Sequence, residues 1–327
     1  MDRLINNYSK YINPFDRSYL SYNDHLVAFN REFQKEISEE LSNVFEGFEE
    51  TIAVATPGSD ARLEKGPVSL IEIILFYKDP SNFEKVSEKI KSYVSERKDI
   101  NLYDQNIEIK NINKDKMYEF KIRREEHDEV RVISPNRVFD ARILFATNDI
   151  YPQLIKKFVD ELNSRKGKLI FKNTKEKAKE HQRVTASGLQ KYKGKEIIHY
   201  NFREGVAFYD TEKNLCSFKQ GPLRAVQYAL VRDAIKKTKM GLNYEIIFSL
   251  PKNTVEKLFR IEVEGITSLS PLQMEDLSNC YKYFLHLYHK SQINYKKNFI
   301  KETEFDSKEV KERCKSLENL CKLQIIK

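Results

Sequence analysis

The sequence predicts an α+β protein, in which a mixed sheet with helices is followed by a mainly helical region. Two apolar runs of β-type composition, 51–55 and 70–77, flank a turn at Pro57 and Gly58. Further short runs alternate between apolar and polar residues from 100 to 133, as strands do. From Gly221 onward, apolar residues recur three and four positions apart, which indicates amphipathic helices.

The composition is that of a globular protein. The 327 residues are 40% apolar and 32% charged, with a net charge of +8. No run approaches the roughly 20 apolar residues of a membrane span, and the first residues lack the apolar core of a signal peptide. The cysteines have no metal-site spacing and are expected to be free thiols in a reducing compartment; they are Cys216, Cys280, Cys314 and Cys321. We therefore expect a cytoplasmic protein with no membrane contact.

The secondary-structure elements before residue 164 are predicted from the spacing of their apolar residues. The first 22 residues are rich in tyrosine and are predicted to form an irregular, docked arm. Amphipathic helices are predicted from about Asn23 to Gly47, over 83–94 and over 150–163. Strands are expected at 107–109, 117–122 and 130–133, with a charged turn or active-site edge at 123–129. A boundary is predicted at 164–168.

The elements after the boundary are mostly helical. A polar, basic connecting helix is predicted within 166–194, followed by weak alternation over 196–219. Helices are then expected at 223–237, 254–264, 273–290 and 308–322, separated by glycine and proline turns. The domains are thus an arm (1–22), a sheet domain (23–165), the connecting helix (166–194) and a mainly helical domain (195–327).

The residues between the first two apolar runs predict an anion site. Gly58 allows a tight turn because it has no Cβ, and Ser59 and Asp60 suit the start of a helix. Free N–H groups at such a start bind anions such as phosphate. Glu72 lies in the second run between apolar neighbours, and its carboxylate is expected to point towards this turn.

This stretch resembles the Gly-Ser motif of the nucleotidyltransferase superfamily (polymerase-β-like). The pattern is similar to that of PII uridylyltransferases, glutamine synthetase adenylyltransferases and CBS-associated nucleotidyltransferases, roughly Gly-Ser-x-x-Arg-x-Glu followed by Ser/Thr-Asp-x-Asp/Glu. The matching residues are Gly58, Ser59, Arg62, Glu64, Ser69 and Glu72. Leu70 stands where that family has its first metal-binding carboxylate.

Two later segments resemble the same subgroup. Residues 139–149, beginning Phe-Asp-Ala-Arg, are similar to the segment that follows its catalytic sheet. Pro135 suits a helix start, so Asp140 and Arg142 are predicted to lie on a helix. Residues 218–227 are similar to the segment that opens its helical domain, although Ala225 replaces an acidic residue.

The resemblance implies metal-dependent transfer of a nucleoside monophosphate from a nucleoside triphosphate to a protein or small acceptor. Such chemistry uses cations held by carboxylates. Glu72 and Asp140 are the predicted catalytic residues, and Glu72, Asp140 and Glu129 are the candidate ligands of Mg²⁺ or Mn²⁺. Because Leu70 cannot bind a cation, the ion is expected to be held weakly if at all. The predicted nucleotide-binding residues are Gly58, Ser59, Arg62, Lys219 and Arg224.

Simpler interpretations stand beside these assignments. Ser59 and Asp60 could be an ordinary helix cap, and Arg62 could be a surface residue. Glu72 could pair with an arginine, and Asp140 could serve packing alone. His286 and His289 have the spacing of a metal pair on a helix, but no third ligand is evident.

Three functions remain open from the sequence. The first is an active nucleotidyltransferase. The second is a catalytically degenerate member that acts as a nucleotide-binding regulator or interaction module. The third is an RNA-binding or RNA-end-modifying protein that uses the basic face around 165–195, which lacks the interleaved aromatic residues expected for base stacking.

Overall fold

A computed structural model gives the fold. It describes residues 13–48, 52–66, 71–77, 83–96, 100–102, 110–111, 120–124, 127–131, 140–146, 165–190, 197–201, 209–210, 215–216, 218–239, 244–297 and 302–327, together with single positions between 152 and 163. Throughout these ranges the protein has the predicted α+β character, with the strands concentrated before residue 220 and long helices on both sides of it.

The principal sheet is mixed. Its strands are β1 (Ile52–Thr56), β2 (Ile71–Tyr77), β3 (Ile100–Leu102), β4 (Lys110–Asn111) and β7 (Arg142–Ala146). Their order is β3-β2-β1-β7, and β4 also pairs with β2. β1 runs antiparallel to both neighbours, whereas β3 and β4 run parallel to β2. A separate hairpin joins β5 (Phe120–Arg124) to β6 (His127–Arg131).

Alternation along β1 separates two hydrophobic cores. Every residue of this strand is buried. Ile52 and Val54 face one core, whereas Ala53 and Ala55 face the other, as successive side chains of a strand must. The first helix, α1 (Tyr19–Val44), packs against both cores. Ser18 immediately precedes this helix, and its side chain caps the helix by accepting a hydrogen bond from Ser21 N.

Most of the remaining helices pack on the alanine face of β1, whereas the helix Phe83–Glu96 packs on the core of Ile52 and Val54. After α2 (Gly58–Ala61) and α3 (Phe83–Glu96), they are α4 (Arg165–Gln190), a π-helical turn (Lys219–Leu223), α5 (Arg224–Lys239), α6 (Tyr244–Ser249), α7 (Thr254–Val263), α8 (Pro271–Lys297) and α9 (Ser307–Lys322). A second sheet contains β8 (Ile197–Asn201), β9 (Tyr209–Asp210), β10 (Leu215–Cys216) and β11 (Glu302–Asp306). Buried residues of α5, α7, α8 and α9 share one core with Ala53 and Ala55. The sheet and the C-terminal helices are therefore continuous in the interior.

Several sequence-based boundaries are corrected. The first helix begins at Tyr19 rather than Asn23, because Ser18 provides a cap. The charged stretch 123–129 contributes to both strands of a hairpin instead of forming a turn throughout. The helix predicted around Asp140 is wrong: Asp140 lies in a turn, and Arg142 begins β7. Pairing of this segment with β1 outweighs its local helical preference.

A helix, α4, is found where the sequence predicts the polar, basic helix. The buried positions Thr174, Ala178, His181 and Gln182 lie on one face. The ring centroid of the buried His181 lies 4.9 Å from that of Tyr228. Exposed lysines occupy the other face at positions 168, 172, 175 and 179. Within the described ranges, no helix has both the length and the apolarity needed to cross a membrane.

Candidate functional site

The predicted turn after β1 is confirmed. Pro57 ends the strand, and Gly58 begins the short helix α2 with a positive φ of 64°. The helix ends in a Schellman arrangement: Leu63 N donates to Asp60 O over 3.0 Å, and Glu64 N donates to Ser59 O over 2.8 Å. This arrangement needs a left-handed residue, and Leu63 supplies it with a φ of 57°. A fully buried leucine therefore occupies a position that usually favours glycine.

The turn places Arg62 and Glu64 in the interior. Their relative exposures are 8% and 2%, and Asp140 is 3% exposed. Arg62 Nε donates to Glu64 Oε2 over 2.7 Å, and Arg62 Nη1 donates to Asp140 Oδ2 over 2.9 Å. Residues from two of the sequence segments that resemble the transferase subgroup thus meet in one ion network.

The C-terminal helices complete this network. Lys257 Nζ on α7 donates to Asp140 Oδ1 over 3.0 Å. Tyr281 Oη on α8 donates to Glu64 Oε2 over 2.7 Å, and Thr254 N donates to Glu64 Oε1 over 3.0 Å. We call this network the buried seam; its members are Arg62, Glu64, Asp140, Thr254, Lys257 and Tyr281.

Hydrogen bonds from the start of α7 fix the position of the buried seam. Asn253 caps this helix by accepting a hydrogen bond from Glu256 N over 3.0 Å. Its Nδ2 donates to Arg62 O over 2.8 Å, which ties the cap to the turn after β1. The carboxylate of Glu64 receives the N–H of Thr254, where a helix start favours negative charge. Glu64 therefore occupies the anion-binding position of α7.

Arg62 and Asp140 stay charged in the seam despite their burial. Burial alone would lower the pKa of Arg62, but the carboxylates of Glu64 and Asp140 outweigh it and raise that pKa above its ordinary value. Burial would raise the pKa of Asp140, but Lys257 and Arg62 outweigh it and lower that pKa. Burial and Glu64 together raise the pKa of Tyr281. Tyr281 is thus a protonated donor at physiological pH.

A second set of contacts fixes the turn against α1. Asn30 Nδ2 donates to Lys65 O over 3.2 Å, and Gln34 Nε2 donates to Asp60 O. Lys65 Nζ lies 3.7 Å from Asp60 Oδ1 and 5.1 Å from the ring centroid of Phe33. A buried lysine between a carboxylate and an aromatic ring is compensated by both. The whole turn from Asp60 to Lys65 is thereby held from two sides.

Gly66 meets α8 at very short range. A Cβ built on Gly66 would overlap Gln292 Oε1 and lie 2.8 Å from His289 Cδ2. The ring of His289 shares a 2.7 Å hydrogen bond between Nδ1 and Tyr22 Oη. Burial, with a smaller contribution from the nearby His286, lowers the pKa of His289 to about 3. The chain can leave the turn at this point only because residue 66 has no side chain.

Asp140 does not fit a metal-ligand role in this geometry. Both of its oxygens accept hydrogen bonds from cationic side chains, so a divalent ion bound there would be repelled by Arg62 and Lys257 at close range. The described part of the chain holds no group of three or more potential ligands (histidine, cysteine, aspartate or glutamate) placed to bind a metal. The assignment of Asp140 as a catalytic and metal-binding residue stays a prediction, and no chemical step can be derived through a metal here.

The other predicted site residues lie at different places. Ser59 is half-buried in α2. Glu72 is on β2 opposite Asn101, and Glu129 is on β6 opposite Ile122. Leu70 and Ser69 are outside the described residues, as are the side chains of Glu72 and Glu129.

Lys219 and Arg224 flank the π-helical turn before α5. Arg224 lies within electrostatic reach of Glu180 on α4. Their assignment to nucleotide binding stays a prediction.

The histidine pair on α8 has structural contacts. His286 Nε2 donates to Pro14 O over 2.5 Å, which docks the segment before α1. His289 bonds Tyr22 on α1. Each histidine therefore attaches α8 to the N-terminal part of the chain.

Sequence reasoning missed the partners supplied by the C-terminal helices. Lys257, Tyr281 and Asn253 belong to no motif, and their roles depend on contacts across roughly 120 to 220 positions of sequence, such as Lys257 to Asp140 and Tyr281 to Glu64. The sequence Asn-Thr-x-Glu before an apolar run was a recognisable helix-start signal. It located the start of α7 but carried no information about what that start would contact.

Comparison of the sequence with protein-family models and with curated proteins found no match.

Proposed function

We propose that this protein is a nucleotidyltransferase-like nucleotide-binding regulator in which the transfer reaction has been lost. The observation that carries the proposal is the state of Asp140. Its carboxylate joins Arg62 on the sheet side to Lys257 on the helical side, both at hydrogen-bonding distance. A residue that serves as a metal ligand in a transferase would need at least one oxygen directed at the ion. Here the carboxylate serves as a connector between two regions.

The topology supports a nucleotide site at one end of the sheet. Ala55 pairs with Ile74, so the earlier residue Glu72 lies beyond the end of β1 where Gly58 turns away. Thr56 pairs with Arg142, which places the start of β7 at the same end. The nucleoside triphosphate is proposed to bind at this end, close to Ser59. Binding there adjoins the buried seam and so can bias the contact between sheet and C-terminal helices.

The test compares nucleotide binding with nucleotide turnover. Calorimetry should detect binding of ATP or UTP by the full chain. Incubation with α-labelled nucleotides and Mg²⁺ or Mn²⁺ should give no labelled product and no release of pyrophosphate. Nucleotide binding that Ser59→Ala leaves unchanged would remove the turn from the site, and an absence of any nucleotide binding would overturn the proposal.

An active transferase is the second candidate, favoured by the position of Glu72. The strand register brings this acidic residue to the sheet end that also carries Gly58 and Arg142. Glu72 would there hold the metal that polarises the triphosphate. Turnover by the unmodified protein that Glu72→Gln abolishes, with unchanged thermal stability, would establish this candidate in place of the regulator.

A further inference from the structure

One side of α4 carries a row of exposed lysines. They follow one another by four, three and four positions, and they are Lys168, Lys172, Lys175 and Lys179. This spacing places all four on one side of the helix, over about 16 Å at a rise of 1.5 Å per residue. The row lies beside the buried face of α4, which is formed by positions 174, 178, 181 and 182. We call these four residues the lysine stripe.

Few carboxylates offset the charge of α4. The whole helix contains eight lysines and arginines but only two acidic residues, Glu176 and Glu180. Glu180 is bonded over 2.6 Å to Lys177, which is outside the stripe. Glu176 lies 4.0 Å from Lys172, and the two side chains are 62% and 71% exposed, so this ion pair is weak. Among the described residues, the other three members of the stripe have no ion-pair partner.

The last turn of α5 extends this basic surface. Two ring contacts indicate that α4 and α5 run antiparallel, since His181 lies against Tyr228 and Phe171 lies against Lys239. The end of α5 is therefore beside the first half of α4. That last turn contains lysines at positions 236, 237 and 239 and no acidic residue.

Acidic residues of the neighbouring elements do not cancel the surplus. On α5, Asp233 is buried and bonded to Arg232 over 2.7 Å. Near the end of α9, Glu318 is bonded to Lys322 over 2.5 Å. β9 also packs on α4 and contributes Asp210. Even with that charge counted, basic residues of α4 and the end of α5 outnumber the acidic residues around them.

The composition of this surface narrows the class of partner. The aromatic rings of α4 are Phe171 and His181, which are half-buried and buried, so neither is available to stack on bases as in single-strand binding. Protein interfaces are depleted in lysine and enriched in aromatic residues. Lysines alone suit closely spaced phosphates, and a nucleic-acid duplex presents about one charge per 1.7 Å of its axis.

We propose that the lysine stripe and the last turn of α5 bind the phosphate backbone of duplex nucleic acid without reading its sequence. Each lysine of the stripe neutralises a phosphate, and the released counterions drive binding. RNA and DNA duplexes share this chemistry. The inference goes beyond the proposed function, because the proposed nucleotide site lies at the end of the principal sheet and uses none of these lysines.

The test measures binding of a short RNA duplex, and of a DNA duplex of the same sequence, by the full chain. Fluorescence anisotropy gives the binding constant between about 50 and 200 mM salt. Four phosphate contacts should contribute about −3.6 to the slope of log K against log salt, which is roughly a hundredfold loss across this range. Each single replacement of a stripe lysine by glutamine should reduce the slope by about 0.9, and the fourfold variant should lose the whole contribution.

The matched control replaces four exposed lysines of other elements by glutamine. They are Lys35, Lys85, Lys91 and Lys308. The control and the fourfold stripe variant have the same net charge and differ only in the position of the change. The control should bind duplex as tightly as the unmodified protein. Equal weakening in the two variants would show that net charge alone is responsible and would overturn the assignment to α4.

Amine labelling gives a second readout that does not depend on the folding of any variant. A small acylating reagent is applied to the unmodified protein with and without duplex, and peptide mass spectrometry measures the modified fraction at each lysine. Duplex should slow modification of the stripe more than that of the four control lysines. Protection that spares the stripe would contradict the proposal.

Other polyanions decide the class of partner. Polyglutamate or phosphatidylserine vesicles that bind through the stripe as tightly as duplex would overturn the choice of nucleic acid. Tighter binding of one duplex than the other supports the proposal and identifies RNA or DNA as the source of the phosphates. Absence of duplex binding at about 50 mM salt overturns the inference whether or not ATP binds. ATP binding should be the same in the stripe variant and the unmodified protein, which keeps this result separate from the proposed function.

Discussion

At the scale of single residues, Gly66 shows how one missing side chain permits a close approach. Gly66→Ala should destabilise the protein by about 1–3 kcal/mol because the new Cβ overlaps Gln292 Oε1 and crowds His289. Chemical denaturation measures this free energy of unfolding. The change tests sterics alone, since no left-handed φ is found at Gly66.

Gly265 provides the comparison for this prediction. Its φ is +65°, and a Cβ there would meet nothing within 4 Å. Gly265→Ala should therefore cost only the left-handed strain of about 1 kcal/mol. The double variant Gly66→Ala with Gln292→Ala should be less destabilised than the sum of its parts. Simple additivity would contradict the proposed overlap.

His289 gives the protein a pH dependence. Its pKa is about 3 in the folded protein, mainly because of burial, against about 6.5 in an unfolded chain. A depressed histidine pKa means that the unfolded state binds more protons, so stability should fall as the pH drops below about 6.5. Between pH 8 and pH 5 the loss from this group should be about 2 kcal/mol. Urea unfolding across this range measures it.

The matched variants for this prediction are His289→Gln and His25→Gln. Burial also lowers the pKa of His286 to about 4, so this neighbour contributes a similar loss over the same range. His289→Gln should therefore remove about half of the dependence between pH 8 and 5, whatever its effect on stability at pH 8. His25 is exposed on α1, and its replacement should leave the dependence unchanged. A slope that His289→Gln leaves unchanged would show that His289 does not contribute to it.

At the scale of elements, the turn after β1 keeps a strained leucine because burial outweighs strain. Leu63 is fully buried and left-handed. The left-handed conformation costs roughly 1–2 kcal/mol, whereas truncating a buried leucine to alanine costs about 2–5 kcal/mol. Both Leu63→Ala and Leu63→Gly should therefore destabilise the protein.

The relative stability of these two variants tests whether residue 63 is strained. Glycine usually lowers stability relative to alanine by about 0.5–1 kcal/mol. At residue 63 the order should reverse, with Leu63→Gly the more stable by about 1 kcal/mol, because only glycine adopts the required φ without cost. Denaturant midpoints compare the pair directly. Alanine as the more stable variant would mean that residue 63 is not left-handed in solution.

Sequence patterns predicted elements better than their contacts. The helices after residue 220 were largely correct, because their apolar residues repeat with a helical period and their ends carry caps such as Asn253 and Asp306. The strand at Arg142 was missed, since its pairing partner β1 lies almost ninety positions earlier. β11 was also missed, because it pairs with β8 about a hundred positions away. Periodicity reports local structure and contains little information about such pairing.

The candidate site shows the same limit. Local chemistry identified the turn at Gly58, and the resemblance to the transferase subgroup drew attention to Arg62, Glu64 and Asp140. It did not show that these charges are paired with one another, because the ion network closes only through Lys257 and Tyr281. Residues that resemble a catalytic motif can thus have a structural role that depends on the rest of the fold.

At the scale of the whole molecule, the buried seam and the shared core join the sheet to the C-terminal helices. Asp140→Asn keeps the shape of the side chain but leaves Arg62 and Lys257 facing each other without the negative charge between them. Removal of one partner from a buried ion pair costs about 3–5 kcal/mol. We expect that loss in the free energy of unfolding at pH 7. Hydrogen exchange should rise at the start of α7 and in β1.

An exposed ion pair that joins the same two regions is the control for this last prediction. Arg31 on α1 bonds Glu256 on α7 over 3.1 Å, but the two side chains are 62% and 40% exposed. Arg31→Gln should therefore cost less than about 1 kcal/mol. Because the pKa of Asp140 is lowered in the folded protein, its stabilisation is present above the unfolded value near 4 and is lost as the pH falls below it. The difference between wild type and Asp140→Asn should accordingly shrink below pH 4. Equal losses for Asp140→Asn and Arg31→Gln at pH 7 would show that the buried seam does not hold the molecule together.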